Sequence, residues 1–274
     1  MKSPRILITG ASGWIGRSLY AHLLELEPIG TYFNSTLTPP ARGWVKADLR
    51  NEAEVADLLK YFRPDVVFHC AALPSPRINE ENPKLAEDTN VGVTRNIVAH
   101  LPKSAHLFFM STDKVLNGQE FEPNEDTVPE PLTLHGHLKA RCENIISENH
   151  QKYHTLRFST VHGLGDSSSN SFIDKALIKL RRGEQVYAFQ NISRCYLRIG
   201  ELLDVLVKLI EDKHYGIYHL GSPLRPYYNR IQDLCQETGV PWVGKLLPAS
   251  GDASPQIQNL NSDKIKKLLK CSFS

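Results

Sequence analysis

A histidine and a lysine stand one helical turn apart in the segment PLTLHGHLKA, residues 131–140. Because four positions separate His135 from Lys139, a helix that opens here places both side chains on one face. A protonated imidazole could donate a proton to a developing alkoxide, and its ordinary pKa of about 6.5 lies near neutral pH. The ammonium of Lys139 would lower that pKa. The pair indicates proton chemistry at a carbonyl or hydroxyl group.

A glycine-rich turn near the N-terminus predicts a second site. In LITGASGWIGRSL, an apolar strand is followed by Gly10, Gly13 and Gly16 and then by a helix. Glycines at this spacing permit a tight turn, close approach of the backbone to a pyrophosphate, and close packing of the helix on the strand. The helix N-terminus adds N–H groups that attract phosphate. The pattern predicts a dinucleotide site, which also includes Ser12, Trp14 and Ile15.

Alternating apolar strands and amphipathic helices must position these two sites. The predicted core strands are Arg5–Thr9, Ile29–Phe33, Asp65–Cys70, His106–Ser111 and Thr155–Ser159. Between residues 52 and 62, apolar side chains recur on one stripe and predict a helix. Short apolar strands separated by helices are typical of a parallel sheet covered on both faces. The sequence therefore predicts an α/β fold, a Rossmann-type doubly wound parallel sheet with a small C-terminal substrate lobe.

The alternating pattern loosens after residue 160, and this change predicts a domain boundary. We expect an NAD(P)-binding core at residues 1–160 and a substrate-binding lobe at 161–274. Helices are predicted near Phe172–Leu180 and Glu201–Ile210, and GIYHL at 216–220 predicts a strand. The stretch from about 195 to 220 is expected to return to the core sheet.

Composition excludes several classes of partner. With 32 basic and 30 acidic residues, the net charge of +2 gives no basic surface for nucleic acid or an anionic membrane. The N-terminal sequence is typical of neither a signal peptide nor a membrane span, so we expect a cytoplasmic protein with a small-molecule partner. The five cysteines contain no C-x-x-C pair, and the two histidines of HGH do not share a helix face. No metal site is predicted.

Several motifs in one order resemble those of a known family. They are the glycine turn, HCAA (69–72), DTNVGVTRNI (88–97), STDKVLNG (111–118), HGHLK (135–139) and LRFSTVHG (156–163). This series resembles the extended short-chain dehydrogenases/reductases. The similarity is greatest to the dTDP-4-dehydrorhamnose reductase type, a group that also includes the regulatory β subunit of methionine adenosyltransferase.

The resemblance implies roles for individual residues. In this family a Ser or Thr, a Tyr and a Lys act together, and by position these are Thr112, His135 and Lys139. His135 therefore occupies the tyrosine position. Further implied cofactor contacts are Cys70, Ala71 and Ala72, Asn90 near the active site, Ser111 beside Thr112, and Phe158, Ser159 and Thr160 beside the nicotinamide.

The end of the second strand indicates the preferred cofactor. A carboxylate there would bind the ribose hydroxyls of NAD and repel the phosphate of NADP, but residues 28–47 contain neither Asp nor Glu. Asn34 and Ser35 can donate hydrogen bonds to a phosphate, and Arg17, Arg42 and Lys46 are the nearest cations. We expect NADP in preference to NAD. Asp48 and Leu49 are expected to lie at the adenine edge.

These features predict an NADP-dependent oxidoreductase that acts on a sugar nucleotide or a related keto or hydroxy compound, with an atypical proton donor. One alternative is a cofactor-binding regulatory subunit without turnover, in which His135 is only a polar residue of the cleft. Another is a dehydratase-like lyase that uses Asp113 and Lys114, because Thr-Asp-Lys resembles the motif of nucleotide-sugar 4,6-dehydratases. A homodimer through helices near 84–100 and 135–149 is the expectation from the family.

Overall fold

Parallel strands form the centre of the fold in a computed structural model that describes residues 3–34, 42–250 and 256–274. The strands are β1 (Ile6–Thr9), β2 (Ile29–Tyr32), β3 (Trp44–Lys46), β4 (Val66–His69), β5 (His106–Met110), β6 (Tyr153–Phe158), β7 (Thr160–His162), β8 (Val186–Phe189), β9 (Ile192–Arg194), β10 (Tyr196–Arg198), β11 (Gly216–Leu220), β12 (Arg225–Pro226), β13 (Leu246–Ala249) and β14 (Gln256–Gln258). The helices are α1 (Trp14–His22), α2 (Glu52–Phe62), α3 (Pro76–Glu81), α4 (Pro83–Ala86), α5 (Val93–His100), α6 (Leu134–Asn149), α7 (Phe172–Arg181), α8 (Ile199–Leu209), α9 (Tyr227–Thr238) and α10 (Asp263–Leu269).

The main sheet has seven strands in the order β11-β6-β5-β4-β1-β2-β3. Strand β1 pairs in parallel with β2 on one side and with β4 on the other, so the direction of winding reverses beside β1. The pairs β2–β3, β4–β5 and β5–β6 are also parallel. The doubly wound α/β fold predicted from the sequence is therefore confirmed. In such sheets the ligand crevice lies outside the carboxyl ends of the strands at the reversal.

Continuous apolar runs explain why these strands lie at the centre. Every residue of β1, β4 and β5 is buried, as expected for strands covered by helices on both faces. Helix α2 begins after Asn51, whose side chain accepts a hydrogen bond from the Ala53 N–H at 3.1 Å. It ends at Phe62, as the sequence predicted, and buries Val55, Leu58 and Leu59.

The chain forms two compact units, each with its own core. The first comprises Met1–Asn117, Val128–Arg157 and Val205–Tyr218, and the second comprises Gly118–Thr127, Phe158–Asp204 and His219–Ser274. The core of the first unit lies between the main sheet and helices α2, α5 and α6. The core of the second joins α7 and α9 to β8 and β13. The domain boundary expected near residue 160 stays a prediction.

Candidate functional site

The glycine turn after β1 is shaped by close backbone contacts. Gly10 has a positive φ of 65°, and a Cβ atom at this position would lie 2.6 Å from the Cα of Ala71. A Cβ atom on Gly16 would overlap the carbonyl oxygen of Gly10. Only glycine relieves both contacts, so the turn can sit tightly between α1 and the segment that follows β4.

The N-terminus of α1 meets the requirements of a phosphate site. Gly13 is the N-cap residue, no side chain caps the helix there, and the first turn contains no acidic residue. Ser12, Trp14 and Ile15 are half-buried around this helix end. Backbone N–H groups and the positive end of the helix dipole therefore favour an anion. The cradle left by the missing Cβ atoms fits the pyrophosphate of a dinucleotide.

The segment after β4 forms a second wall of this region. Thr9 Oγ1 lies 2.9 Å from His69 Nδ1 and accepts a hydrogen bond from the Ala71 N–H at 3.2 Å. Burial lowers the pKa of His69 to about 3 and raises that of the Cys70 thiol to about 12, so both groups are neutral at pH 7. Cys70, Ala71 and Ala72 are half-buried. We interpret them as residues that shape the wall of the site, and none of them acts as an acid, a base or a nucleophile.

Asn90 holds this segment in place. It lies 2% exposed in a π-helical turn, Glu87–Gly92, a kind of irregularity that is frequent at functional sites. Its Oδ1 accepts a hydrogen bond from the Leu73 N–H at 2.9 Å. Among the described residues, its buried Nδ2 has no hydrogen-bond partner. Asn90 thus supports the segment next to the predicted cofactor site and retains an unused donor nitrogen.

Helix α6 presents the candidate catalytic side chains. It begins at Leu134 after Thr133, whose side chain accepts a hydrogen bond from the Gly136 N–H at 3.2 Å. A Cβ atom on Gly136 would overlap the carbonyl oxygen of Lys114, so glycine is needed for the helix to approach the turn after β5. The glycine of HGH therefore has a structural reason that the sequence alone did not reveal.

His135 is buried and electrically neutral at pH 7. Its surface is 8% exposed, and its Nδ1 lies 3.0 Å from the side-chain nitrogen of Asn79. Burial first, and then the charges of Lys139 and Lys114, lower the pKa of His135 to about 4. The sequence predicted the effect of Lys139. The larger effect of burial moves the ring well away from titration near neutral pH.

Lys139 lies one turn further along the same face of α6. Its Nζ donates a hydrogen bond to the backbone oxygen of Met110 at 2.6 Å and lies 4.5 Å from the centre of the Phe109 ring. Burial lowers the pKa of Lys139 below its usual range. The carbonyl of Met110 ends β5, so the ammonium lies at the carboxyl edge of the sheet, where a ligand of this fold binds.

A buried ion pair, missed by the sequence analysis, holds the strand end beneath this lysine. Glu143, the next residue on the stripe of His135 and Lys139, is 4% exposed and binds Arg157 of β6, which is 1% exposed. Ser111 donates its hydroxyl to the same carboxylate. The only signal in the sequence was the spacing of four residues between Lys139 and Glu143.

The neighbouring Thr112 and Asp113 have different surroundings. Thr112 is half-buried, and its hydroxyl donates to Asp113 Oδ1 at 3.1 Å. Both hydroxyls donate within the protein, Ser111 to Glu143 and Thr112 to Asp113, but Ser111 is buried and Thr112 is half-buried, so Thr112 is the more accessible to a ligand. Asp113 is 4% exposed, a burial similar to that of His135 and Lys139. The dehydratase-like alternative, which uses Asp113 and Lys114, stays a prediction.

The predicted adenosine contacts show one surprise. Asn34 is exposed after β2, and Ser35 lies outside the described residues. Both carboxylate oxygens of Asp48 bind Arg50, at 2.7 and 2.8 Å, and this lowers the pKa of Asp48. The guanidinium of Arg50 lies 5.0 Å from the centre of the Phe33 ring. Arg50 is therefore a cation at the end of β2 that the sequence analysis did not name, while Leu49 beside it is buried.

Three predicted contacts belong to the second unit. Phe158 is buried, Ser159 is half-buried, and Thr160 Oγ1 lies 3.4 Å from the hydroxyl of Tyr227. Their place beside a nicotinamide stays a prediction. In the described ranges, no cluster of three or more His, Cys, Asp or Glu side chains is arranged to hold a metal ion, and no helix is long and apolar enough to cross a membrane.

Residues 4–225 match the family model described as the RmlD substrate binding domain. The chain belongs to this family. The resemblance to extended short-chain dehydrogenases/reductases is thereby confirmed. Among the relatives, methionine adenosyltransferase 2 subunit beta of Xenopus laevis is 30% identical over 230 residues, which are 79% of this chain and 66% of that protein. The dTDP-4-dehydrorhamnose reductase of Aggregatibacter actinomycetemcomitans is 28% identical over 237 residues, 82% of this chain and 76% of that protein.

This member of the RmlD family spans just under two thirds of the length of the first of these relatives. Solved structures share its fold. The dTDP-4-dehydrorhamnose reductase of Bacillus anthracis in complex with NADP matches with a TM-score of 0.82 and 23% identity, covering 100% of this chain and 95% of that one. A UDP-glucose 4-epimerase of Thermotoga maritima with UDP-glucose matches with a TM-score of 0.80 and 20% identity, covering 96% and 91%.

Proposed function

We propose that this protein is an NADP(H)-dependent reductase of the short-chain dehydrogenase/reductase type that acts on a sugar nucleotide or a related keto compound. The observation that carries the proposal is the placement of His135 and Lys139 on one buried face of α6, with Lys139 bonded to the end of β5 at 2.6 Å. This end of the sheet also carries the glycine cradle. A site for a dinucleotide and a pair of nitrogen groups therefore occur together in the first unit.

The cradle would hold the pyrophosphate with the backbone of residues 13–16, and bound NADPH would supply a hydride. The chain itself must then stabilise the oxygen of the ketone as negative charge develops there. Thr112 is assigned a hydrogen bond from its hydroxyl to that oxygen, which replaces its hydrogen bond to Asp113 when the substrate binds. His135 is assigned a second, from Nε2, as a neutral imidazole. Such a donor stabilises charge without being ionised, and the buried side chain of Lys139 adds a favourable field when it is protonated. The neutral imidazole keeps its proton, so the proton that completes the alcohol is taken from solvent water.

Two features support NADP in preference to NAD. Residues 28–47 contain no carboxylate that would repel a 2′-phosphate, and Arg50 places a cation over Phe33 at the end of β2. The dTDP-4-dehydrorhamnose reductase of Bacillus anthracis, whose fold is the same, is in complex with NADP. A sugar nucleotide as substrate is supported by the name of the relative that is 28% identical.

The test begins with the cofactor that the purified protein retains, identified by mass spectrometry. Oxidation of NADPH is then followed with a panel of nucleotide-linked keto sugars. We expect His135→Ala and Lys139→Met to lower kcat by about 100-fold or more, the usual loss when a positioned donor is removed. His137→Ala is the matched control, because His137 lies on the same turn of α6 but is exposed. Full activity in His135→Ala would overturn the assignment.

A second candidate is a cofactor-binding regulatory subunit without turnover. It is favoured by the 30% identity to methionine adenosyltransferase 2 subunit beta. It is also compatible with a neutral His135 at the position where the family has tyrosine. The two candidates differ in the effect of His135→Tyr. If the unsubstituted protein binds NADPH without turnover and His135→Tyr gives it reductase activity, the regulatory function is supported. If it abolishes an existing activity, the histidine is the working group.

A further inference from the structure

We propose that Asn79 is a positioning residue that fixes which nitrogen of His135 carries the proton. Its side-chain amide donates to Nδ1 of the imidazole at 3.0 Å, so the ring keeps its lone pair on Nδ1 and its proton on Nε2. The inference rests on the proposed function, because the direction of the Nε2–H group matters only if His135 faces a ligand.

The surroundings of Asn79 are those of a rigid support. The residue is 0% exposed on α3, a short helix that begins after Ser75, whose side chain accepts a hydrogen bond from the Ile78 N–H at 3.4 Å. The next residue, Glu80, accepts a hydrogen bond from the backbone N–H of Leu134 at 3.0 Å. Helix α3 is therefore bonded to the start of α6 at two neighbouring points, one on the backbone and one on the ring of His135.

The chemistry of the amide determines the tautomer. A primary amide nitrogen has two N–H donors and no acceptor, so the atom opposite it must be an acceptor. On His135, Nδ1 can accept only when it carries no proton. A neutral ring then has its single proton on Nε2. Protonating Nδ1 would place two donors against each other. This repulsion opposes protonation of the ring, as do the positive charges of Lys114 and Lys139.

The oxygen of the same amide identifies the competing state. Asn79 Oδ1 is buried and has no hydrogen-bond partner among the described residues. If the amide rotated by half a turn, Oδ1 would accept from a protonated Nδ1, and the ring would become either the other tautomer or an imidazolium. A buried acceptor without a partner is costly, and this cost counts against the present orientation, so a measurement on the ring must decide between the two. The two orientations predict opposite protonation of Nδ1.

Nitrogen NMR on the whole chain distinguishes the two orientations of the Asn79 amide. The chain is labelled with ¹⁵N-histidine, and the His135 ring is assigned by its disappearance in His135→Gln. At pH 7 we expect a protonated Nε2 and a bare Nδ1. A protonated Nδ1 in the unsubstituted protein would overturn the proposal.

Substitutions of Asn79 and of its neighbour Glu80 provide a second measurement. In Asn79→Asp a carboxylate faces Nδ1, so we expect the ring to take a proton there and its pKa to rise by about 1–3 units, as for an opposite charge within a few ångströms. Glu80→Gln is the matched control, because it alters the neighbouring bond to Leu134 and leaves the ring contact in place. An unchanged His135 spectrum and pKa in Asn79→Asp would refute the role of Asn79.

These measurements separate the two levels of inference. If His135→Ala retains NADPH oxidation while the spectrum shows a bare Nδ1, the catalytic assignment of His135 fails and the role of Asn79 stands. If His135→Ala is inactive while Nδ1 is protonated, the catalytic assignment of His135 stands and the role of Asn79 fails. If the unsubstituted protein oxidises no NADPH, the proposed function itself fails.

Discussion

The buried pair of Glu143 and Arg157 gives the sharpest test of the energetics beneath the site. Arg157 Nη2 lies 2.7 Å from Glu143 Oε2, and Arg157 Nε lies 3.1 and 3.2 Å from the two carboxylate oxygens. The side chains are 1% and 4% exposed, so neither charge can turn to water if the other is removed. Removing one partner of such a pair typically costs about 3–5 kcal/mol. We expect this loss in the free energy of unfolding for Glu143→Gln and for Arg157→Met.

Such a loss is large against a total stability of about 5–15 kcal/mol for a folded protein. The double variant Glu143→Leu/Arg157→Met carries no buried charge, and we expect it to recover most of the loss, because apolar replacement of a whole buried pair is often nearly neutral. Ser111 also loses its acceptor in the double variant, which costs about 1 kcal/mol. Two single variants that are strongly destabilised, with a double variant that is more stable than either, are the signature of a desolvated ion pair.

Urea unfolding measures these changes by tryptophan fluorescence. Trp14 and Trp44 lie in the first unit and Trp242 in the second, so a Trp242→Phe background makes the signal specific for the unit that holds the pair. The control is Arg77 with Glu81, the same chemistry at 2.8 Å but 78% and 50% exposed. Glu81→Gln should cost less than about 1 kcal/mol. If Glu143→Gln costs no more than Glu81→Gln, burial does not act as we have reasoned.

Four further outcomes follow from the site. Gly16→Ala should abolish NADPH binding in a fluorescence titration, whereas Gly200→Ala, with no atom within 4 Å of the added Cβ, should leave it unchanged. Arg50→Ala should raise KM for NADPH more than for NADH, and equal effects would remove Arg50 from cofactor selection. Burial lowers the pKa of His154 to about 4, below the unfolded value of about 6.5, so unfolded chains take up the proton first. The contribution of His154 to the free energy of unfolding is therefore complete above pH 6.5 and declines toward pH 4, with a loss of about 2 kcal/mol at pH 5. His154→Gln should make the free energy of unfolding, measured by urea titration, depend less steeply on pH. Finally, kcat should be nearly flat from pH 6 to 8 if neutral His135 is the donor, whereas a tenfold fall per pH unit would indicate a charged acid.

The sequence was a reliable guide to the main sheet because its strands are buried on both faces. Such strands must be continuous apolar runs, and β5 and β11 begin at the predicted residues, His106 and Gly216. Helix α2 has the predicted bounds for a related reason, since its apolar stripe and its Asn51 cap are both local in sequence. The short strands of the second unit lacked any such signal, because β8, β9 and β10 have only three or four residues each and mix buried with half-buried or exposed side chains.

The supporting residues of the site could not be predicted for the same physical reason. The contact of Asn79 with His135 spans 56 positions, and no periodicity or motif connects two residues across that distance. Arg50 was not predicted for a different reason. Its bonds to Asp48 are local, but its stacking on Phe33 depends on β2 and β3 being neighbours in the sheet. Motif positions were thus visible in the sequence, while the groups that orient them were not.

The histidine at position 135 shows why this difference matters for function. By residue type, His135 is an acid with a pKa near neutrality, and it would replace a tyrosine as one proton donor replaces another. A pKa of about 4 leaves a proton on roughly one ring in a thousand at pH 7. The abundant species is the neutral ring, whose only donor is the nitrogen that Asn79 leaves protonated. On the proposed function, the change at this position replaces a transferable proton with a fixed hydrogen bond, and the proton that completes the alcohol comes from solvent.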